Sequence, residues 1–185
     1  MAVKTKQKRM QPNSELVVIL DIDGTLVGSA LYCCPLSDKD KAVADFWIEY
    51  SATENYLYQK RPWLDEFIKT LFENFRVFVW SDNPRNHIFK LIPHIFGEFG
   101  SKIEKVFDQS HCTVVQVGFT VFDRIKPVDK VIQEIGLKCV LIDDKDVTIE
   151  HNPGRAIKIP KYDFNDETKQ EDDHLKKVLD QIVRF

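Results

Sequence analysis

The sequence predicts an α/β fold whose core is a parallel sheet flanked by helices. Three observations carry this. Three short runs are continuously apolar and rich in β-branched residues, as strands buried on both faces require. Each run ends in a polar cluster. Between the runs lie segments whose apolar residues recur with the helical period.

The elements follow in chain order. Leu16–Leu20 is the first strand and ends on Asp21. Residues 42–59 are aromatic-rich and break the alternation, with strands over Asp45–Tyr50 and Asn55–Gln59 forming a hairpin. Pro62 suits a first helical turn. After it Leu64, Phe67, Ile68, Leu71 and Phe72 share one helix face. Arg76–Trp80 is the second strand and leads into Ser81, Asp82 and Asn83. Pro84 opens a helix carrying Ile88, Leu91, Ile92 and Ile95, which Pro93 should kink or end. The stretch Val106 to Asp123 is a second interruption, with a hairpin of Thr113–Val117 and Phe119–Phe122 around Gly118. Pro127–Ile135 is a helix stopped by Gly136. Lys138–Ile142 is the third strand and ends on Asp143 and Asp144. Ala156–Ile159 is a shorter fourth strand, and Leu175, Val178, Leu179, Ile182 and Val183 mark a C-terminal helix.

Composition fits this reading. The chain has 185 residues, 43% hydrophobic and 30% charged. One domain over residues 15–185 is expected, after a flexible basic tail over residues 1–14. In that tail Lys4, Lys6, Lys8 and Arg9 read as solvated charge, with a nuclear-localisation or anion-binding patch as the alternative. The net charge of -3 leaves no general basic field to hold nucleic acid. Lys102, Lys105, Arg124, Lys126 and Lys130 are a candidate local patch. No apolar run approaches the ~20 residues of a membrane span, and the first residues lack a secretory apolar segment. Cys33, Cys34, Cys112 and Cys139 have no C-x-x-C spacing, which suits a reducing compartment. The expected location is therefore intracellular, nuclear or cytoplasmic.

Three buried strands deliver polar groups to one crevice at their C-terminal ends. The first brings Asp21, Asp23, Gly24 and Thr25. Side chains two apart in extended backbone share a side, so Asp21 and Asp23 can face one ligand. The third brings Asp143 and Asp144. Crowded carboxylates repel unless a cation lies between them, and Mg²⁺ suits carboxylates plus a substrate phosphate. Ser81 and Lys126 add a hydroxyl and an ammonium, completing a phosphate cradle in which an aspartate nucleophile makes an aspartyl-phosphate. Each motif alone is weak. The ordered set, each at an element boundary, is specific.

This set resembles the four motifs of the haloacid dehalogenase (HAD) superfamily of phosphotransferases. The Lys60-Arg-Pro-Trp-Leu-Asp-Glu-Phe67 block is similar to that of its FCP/SCP branch, protein serine phosphatases acting on the C-terminal domain of RNA polymerase II. The resemblance covers roughly residues 15–185 and implies a Rossmann-like, HAD-type fold with a flap hairpin after the first strand and a small β insertion before Lys126. It implies that Asp21 is the nucleophile and Asp23 the general acid and base. Mg²⁺ would be held by Asp21, the backbone carbonyl of Asp23, and Asp144, with Asp143 adjacent. Ser81 and Lys126 would bind the phosphoryl oxygens, and Thr25 belongs with them as support of the loop. The implied partner is a phosphoserine or phosphothreonine protein, with the RNA polymerase II C-terminal domain among the implied substrates.

The sequence departs from the branch at several places. Gly24 replaces a Glu, Asp82-Asn83 stands where small residues are usual, Phe107–Ser110 lacks an arginine, and the insertion is short. These departures bear on substrate recognition. Two other readings remain open: a small-molecule or nucleic-acid 3′-phosphatase, and a catalytically weak phosphatase-like binding module. Leu31, Phe46, Trp47, Ile48, Tyr56 and Tyr58 are candidates for an apolar substrate pocket, although strand alternation sends about half of them to the core.

Overall fold

Five parallel strands in the order β10-β9-β1-β5-β6 form the central sheet. The structure, a computed structural model, describes residues 15–165 and 171–185. The tail expected over residues 1–14 lies outside the described residues. The elements run β1 (Leu16–Leu20), β2 (Val27–Tyr32), α1 (Asp38–Lys41), β3 (Phe46–Ser51), β4 (Glu54–Lys60), α2 (Leu64–Asn74), β5 (Arg76–Trp80), α3 (Arg85–Phe96) and β6 (Lys105–Phe107). They continue with β7 (Thr113–Gln116), β8 (Phe122–Ile125), α4 (Val128–Ile135), β9 (Lys138–Asp143), α5 (Asp146–Glu150), β10 (Ala156–Lys158) and α6 (His174–Ile182).

The continuous apolar runs are explained by two covered faces. Alternate residues Val18, Leu20, Val77, Val79, Val140 and Ile142 pack in one cluster with α2, α3 and α6. Their neighbours Val17, Ile19, Phe78, Trp80, Cys139 and Leu141 pack in a second cluster with Val128 and Val131 of α4. The chain starts in the middle of the sheet at β1, then runs outward to β5 and β6 on one side and to β9 and β10 on the other. The strand order therefore reverses at β1, and ligand crevices in such sheets open at the carboxyl end of that point.

Two smaller sheets flank this edge. The expected flap hairpin is present as β3 and β4, but β2 joins it, making an antiparallel sheet in the order β2-β4-β3. The sequence of β2, VGSALY, holds Gly28, Ser29 and Ala30, which weakens its strand signal. Gly28 is needed there: a Cβ would come within 2.6 Å of the backbone at Asp163 and Phe164. The second interruption splits differently from expectation. Val106 belongs to β6, a short edge strand of the central sheet, and only β7 and β8 form the inserted hairpin. Its second strand begins at Phe122, not Phe119, because Gly118 and Phe119 are needed for the turn. Pro93 does not end α3, which runs on to Phe96 and stops at Gly97. A proline removes one backbone donor, and the buried Ile92, Ile95 and Phe96 hold the last turn in place.

Candidate active site

The C-terminal ends of β1, β5 and β9 bring the expected polar residues together. Asp21 extends β1 by one hydrogen bond, its N–H donating to the Ile142 carbonyl at 3.0 Å. Its carboxylate is buried and held from two sides. Thr25 donates its hydroxyl to Asp21 Oδ2 at 2.9 Å, and Lys126 donates to Asp21 Oδ1. Lys126, only 2% exposed, also donates to Asp143 Oδ2 at 2.7 Å. One ammonium thus joins the ends of adjacent strands β1 and β9.

The remaining residues surround this pair. Oxygen atoms of Asp21, Asp143 and Asp144 all lie within 4.8 Å of one another. Asp23 is outside that group. Its carboxylate accepts from Asn83 Nδ2 at 2.7 Å. Ser81 is fully buried, and its hydroxyl accepts from the Asn83 N–H at 3.2 Å. Thr25 is also fully buried, and its hydroxyl is engaged with Asp21.

Gly24 makes the turn between Asp23 and Thr25 with φ +79°, a left-handed conformation that favours glycine. A Cβ on Gly24 would lie 2.5 Å from Asp144 Oδ2. The glycine departure is therefore matched to the position of the Asp144 carboxylate.

Electrostatics follow from burial and crowding. Burial pushes the Asp21 carboxyl well up, and the charges of Asp143 and Asp144 add to this against the pull of Lys126. Burial and then the Asp143 charge raise Asp144. Burial, reinforced by the Asp82 charge, raises Asp23 to about 6, while Lys126 works against the shift. For Lys126 burial favours the neutral form, but Asp21 and Asp143 together outweigh it and hold the ammonium charged.

Several supporting residues were not assigned roles from sequence. Asn83 braces Asp23. Asn152 accepts from the Val128 N–H at 2.9 Å and donates to the Lys126 carbonyl at 2.9 Å, fixing the segment that carries the lysine. Lys145 pairs with Asp82 and Asp123. Arg61 of the Lys-Arg-Pro block is 2% exposed and donates to Asp172, to the Thr25 carbonyl and to the Pro160 carbonyl. It clamps the Asp21–Thr25 loop to the C-terminal part of the chain. The sequence flagged Arg61 through its Lys-Arg-Pro block and Asn83 through its nearness to Ser81, and carried no local signal for Asn152 or Lys145.

The flap sorts the six pocket candidates. Phe46, Ile48 and Tyr58 are buried, packed against the core. Leu31 (54% exposed) lies across from Tyr56, and Trp47 (41% exposed) lies across from Leu57, so these two exposed side chains sit on opposite faces of the flap. The Ser29 hydroxyl, across from Tyr58, reaches Asp23. The face with Ser29, Leu31 and Tyr56 is therefore the wall nearest Asp23.

Of the candidate basic patch, Lys126 is buried among carboxylates, Lys105 is paired with Glu134 at 2.5 Å, Lys102 lies over the Phe99 ring, Lys130 donates to Thr113, and Arg124 is exposed on β8. All four cysteines are free. No helix among the described residues is long and apolar enough to cross a membrane.

Comparison with known proteins bears on the family and the fold. The sequence profile of a family described as NLI interacting factor-like phosphatase matches residues 16–185. A CTD phosphatase-like protein of Invertebrate iridescent virus 3 is 25% identical over 185 residues, spanning 95% of this chain and 100% of the viral one. The solved structure of Fcp1, an essential RNA polymerase II CTD phosphatase, is similar with a TM-score of 0.56 and 16% identity, over 90% of this chain and 49% of that one. Fission yeast Fcp1 bound to beryllium fluoride gives a TM-score of 0.56 and 16% identity, over 92% of this chain and 51% of that one. The chain thus spans about half the length of these solved relatives, and the likeness to them is one of fold. The profile match covers every element from β1 to α6, so the chain belongs to the NLI interacting factor-like phosphatase family, within the FCP/SCP-like branch of the HAD superfamily.

Proposed function

We propose that this chain hydrolyses phosphoserine or phosphothreonine esters in a protein, through a phosphorylated Asp21 and with Mg²⁺ at its acidic cluster. The observation that carries this reading is the buried Lys126 ammonium shared by Asp21 and Asp143, with the Asp144 carboxylate within 4.8 Å of both acids.

The residues present fit a hard dication. Three carboxylates converge within 4.8 Å, and burial, with their mutual repulsion added to it, raises Asp21 and Asp144 although Lys126 is charged beside them. An all-oxygen donor set of this kind suits Mg²⁺. Asp21, Asp143 and Asp144 would hold it. When bound, Mg²⁺ neutralises phosphoryl charge and orients the group.

The chain's own residues supply the rest. A carboxylate oxygen of Asp21 forms a bond to phosphorus as the ester P–O bond breaks. Protonated Asp23 gives its proton to the departing serine or threonine oxygen. Asp23 then takes a proton from water as the water oxygen attacks phosphorus. The Asp21–phosphorus bond breaks, orthophosphate leaves, and Asp21 returns as a carboxylate. Lys126 and the Ser81 hydroxyl stabilise charge on the phosphoryl oxygens. Thr25 orients Asp21 through its 2.9 Å hydrogen bond.

A protein substrate is favoured by the flap wall of Ser29, Leu31 and Tyr56 beside Asp23, and by the names of the relatives. The net charge of -3 and the burial of Lys126 among carboxylates weigh against a nucleic-acid substrate. The presence of Asp21, Asp23, Asp143 and Asp144 weighs against a binding module. A reducing intracellular compartment, nucleus or cytoplasm, suits the four free thiols.

The test is turnover of p-nitrophenyl phosphate with Mg²⁺, with EDTA, and by Asp21→Asn. Turnover should disappear in the last two, and survival in either overturns the mechanism. Phosphoserine peptides should then be cleaved in preference to 3′-phosphorylated oligonucleotides. The opposite preference overturns the substrate class.

A further inference from the structure

His87 of α3 sits against two strands of the flap. Its Nδ1 lies 2.6 Å from the Tyr50 hydroxyl on β3, and its Nε2 lies 2.8 Å from the Tyr58 hydroxyl on β4. The ring stacks on Tyr50, with centroids 5.5 Å apart, and meets Tyr56 edge-on at 5.2 Å. Two connections lead from this cluster to Asp23. Tyr58 pairs across the sheet with Ser29, on the wall nearest Asp23. His87 follows shortly after Asn83, which donates to Asp23 at 2.7 Å. The proposed chemistry uses none of Tyr50, Tyr58 or His87.

Burial decides where the protons lie. Tyr58 is fully buried, and among the described residues its hydroxyl has no hydrogen-bond partner besides His87 Nε2. A buried hydroxyl proton is nearly always given to an acceptor. Tyr58 therefore donates to Nε2, which carries no proton. A neutral imidazole has one N–H, so the proton is on Nδ1 and is donated to the Tyr50 oxygen. Burial, and then the Lys90 charge, keep the ring neutral.

The Tyr50 phenol proton is then left over. Lys90 Nζ lies 3.7 Å from the centre of the Tyr50 ring, but an ammonium cannot accept a hydrogen bond. Among the described residues the Tyr50 hydroxyl has no further partner. Tyr50 is half-buried, unlike Tyr58, so its proton is aimed outward along the flap.

We propose that the Tyr50 hydroxyl donates a hydrogen bond to a main-chain carbonyl of the bound phosphoprotein segment, and that His87, held by Tyr58, is the positioning residue that aims it. The inference rests on the phosphoprotein reading above. Tyr50 stands 5.9 Å from Tyr56, ring centre to ring centre, and Tyr56 lies across from Leu31 on the wall beside Asp23. An extended segment crossing that wall presents carbonyls whatever its side chains. A phenol already oriented by a neutral imidazole loses little further freedom when it makes the new bond.

Two measurements test this. The first reads the protons in the full chain. A long-range proton–nitrogen correlation spectrum at neutral pH should show His87 protonated at Nδ1 and bare at Nε2. A proton on Nε2 overturns the proposal. The second reads binding by calorimetry with Mg²⁺ on the Asp21→Asn chain, which cannot form the phosphorylated aspartate. Absence of turnover by the parent would thus count against hydrolysis alone, and the contact is judged separately. The ligand is a phosphoserine peptide with alanine flanks, set against orthophosphate, which has no carbonyl. The peptide should bind with a Kd below about 1 mM. Adding Tyr50→Phe should lower the ratio of peptide to orthophosphate affinity about fivefold, for one lost hydrogen bond. Adding Tyr58→Phe instead frees the His87 proton to move to Nε2 and should lower the ratio about twofold. Once Tyr50 is replaced, Tyr58→Phe should cost nothing more. An unchanged ratio in Tyr50→Phe, additive losses in the combined variant, or no peptide binding at millimolar concentration would each overturn the proposal.

Discussion

The Lys145 ammonium lies 2.7 Å from the Asp82 carboxylate, joining the turn after β9 to the turn after β5. It also reaches Asp123 of the inserted hairpin at 3.1 Å. This explains how an extra acid is tolerated beside the proposed phosphate cradle. Burial alone would raise Asp82, but Lys145 outweighs it and keeps the carboxylate ionised. Removing the lysine should leave a bare negative charge where phosphate must approach. Lys145→Gln should raise KM for p-nitrophenyl phosphate about fivefold. The Asp82→Asn, Lys145→Gln double variant should return to within about twofold of the parent, because the charge that repels is gone. Steady-state kinetics on the parent, each single variant and the double variant decides this, and additive losses would refute it.

Gly24→Ala tests the packing of the first motif against Asp144. The alanine must adopt φ near +79° and bring a Cβ to 2.5 Å from Asp144 Oδ2. The left-handed conformation should reduce stability by about 1–2 kcal/mol, measured by urea unfolding. Displacement of Asp144 should raise the Mg²⁺ concentration for half-maximal turnover about tenfold. An alanine variant with unchanged Mg²⁺ dependence would show that Asp144 is free to move.

Arg61 should be among the most sensitive positions in the fold. Its guanidinium meets Asp172 at 2.9 Å, with the Thr25 carbonyl at 3.0 Å and the Pro160 carbonyl at 2.9 Å. Arg61→Met takes the guanidinium from the buried Asp172, which keeps its 3.0 Å hydrogen bond from the His174 N–H, and should lower stability by about 3 kcal/mol. Arg61→Lys keeps the charge but loses the fork geometry, so its loss should be smaller. Denaturant midpoints give the ranking, and equal losses would mean that charge alone matters.

His87 gives a pH-dependent contribution. Its ring nitrogens contact Tyr50 at 2.6 Å and Tyr58 at 2.8 Å, linking α3 to the flap. Burial, and then the Lys90 charge, lower its value in the folded protein below the ordinary imidazole value of about 6.5. Below about pH 6.5 the unfolded chain therefore binds a proton that the folded one refuses. Stability falls as pH drops through that window, and the slope ends below the folded value. His87→Gln should lose less stability than the parent between pH 7 and 5. Parallel pH profiles in thermal unfolding would contradict this.

How much was legible depended on range. The strands β1, β5 and β9 were readable because both faces of each are covered, which demands an unbroken apolar run. The strand β2 was not, because its Gly-Ser-Ala centre serves a close crossing at Asp163 and Phe164. Nor was β6, whose three residues are too few to show a period. Asp21, Asp23, Ser81, Lys126, Asp143 and Asp144 were readable as a set because each stands at an element boundary. Asn83 with Asp23, and Lys145 with Asp82, were not, because their partners lie 60 and 63 residues away.

Sequence by itself determined which residues are apolar on every turn or strand, and hence the α/β class and the acids at the strand ends. Those are local facts, set by side-chain type and backbone period. Only the tertiary structure decided which charges meet. Strand order brings the ends of β1 and β9 side by side, so one Lys126 serves both Asp21 and Asp143. It also gives Asp82 its counterion. Such pairings depend on distances across the fold, and electrostatic and hydrogen-bond energies fall off too steeply with distance for spacing along the chain to predict them.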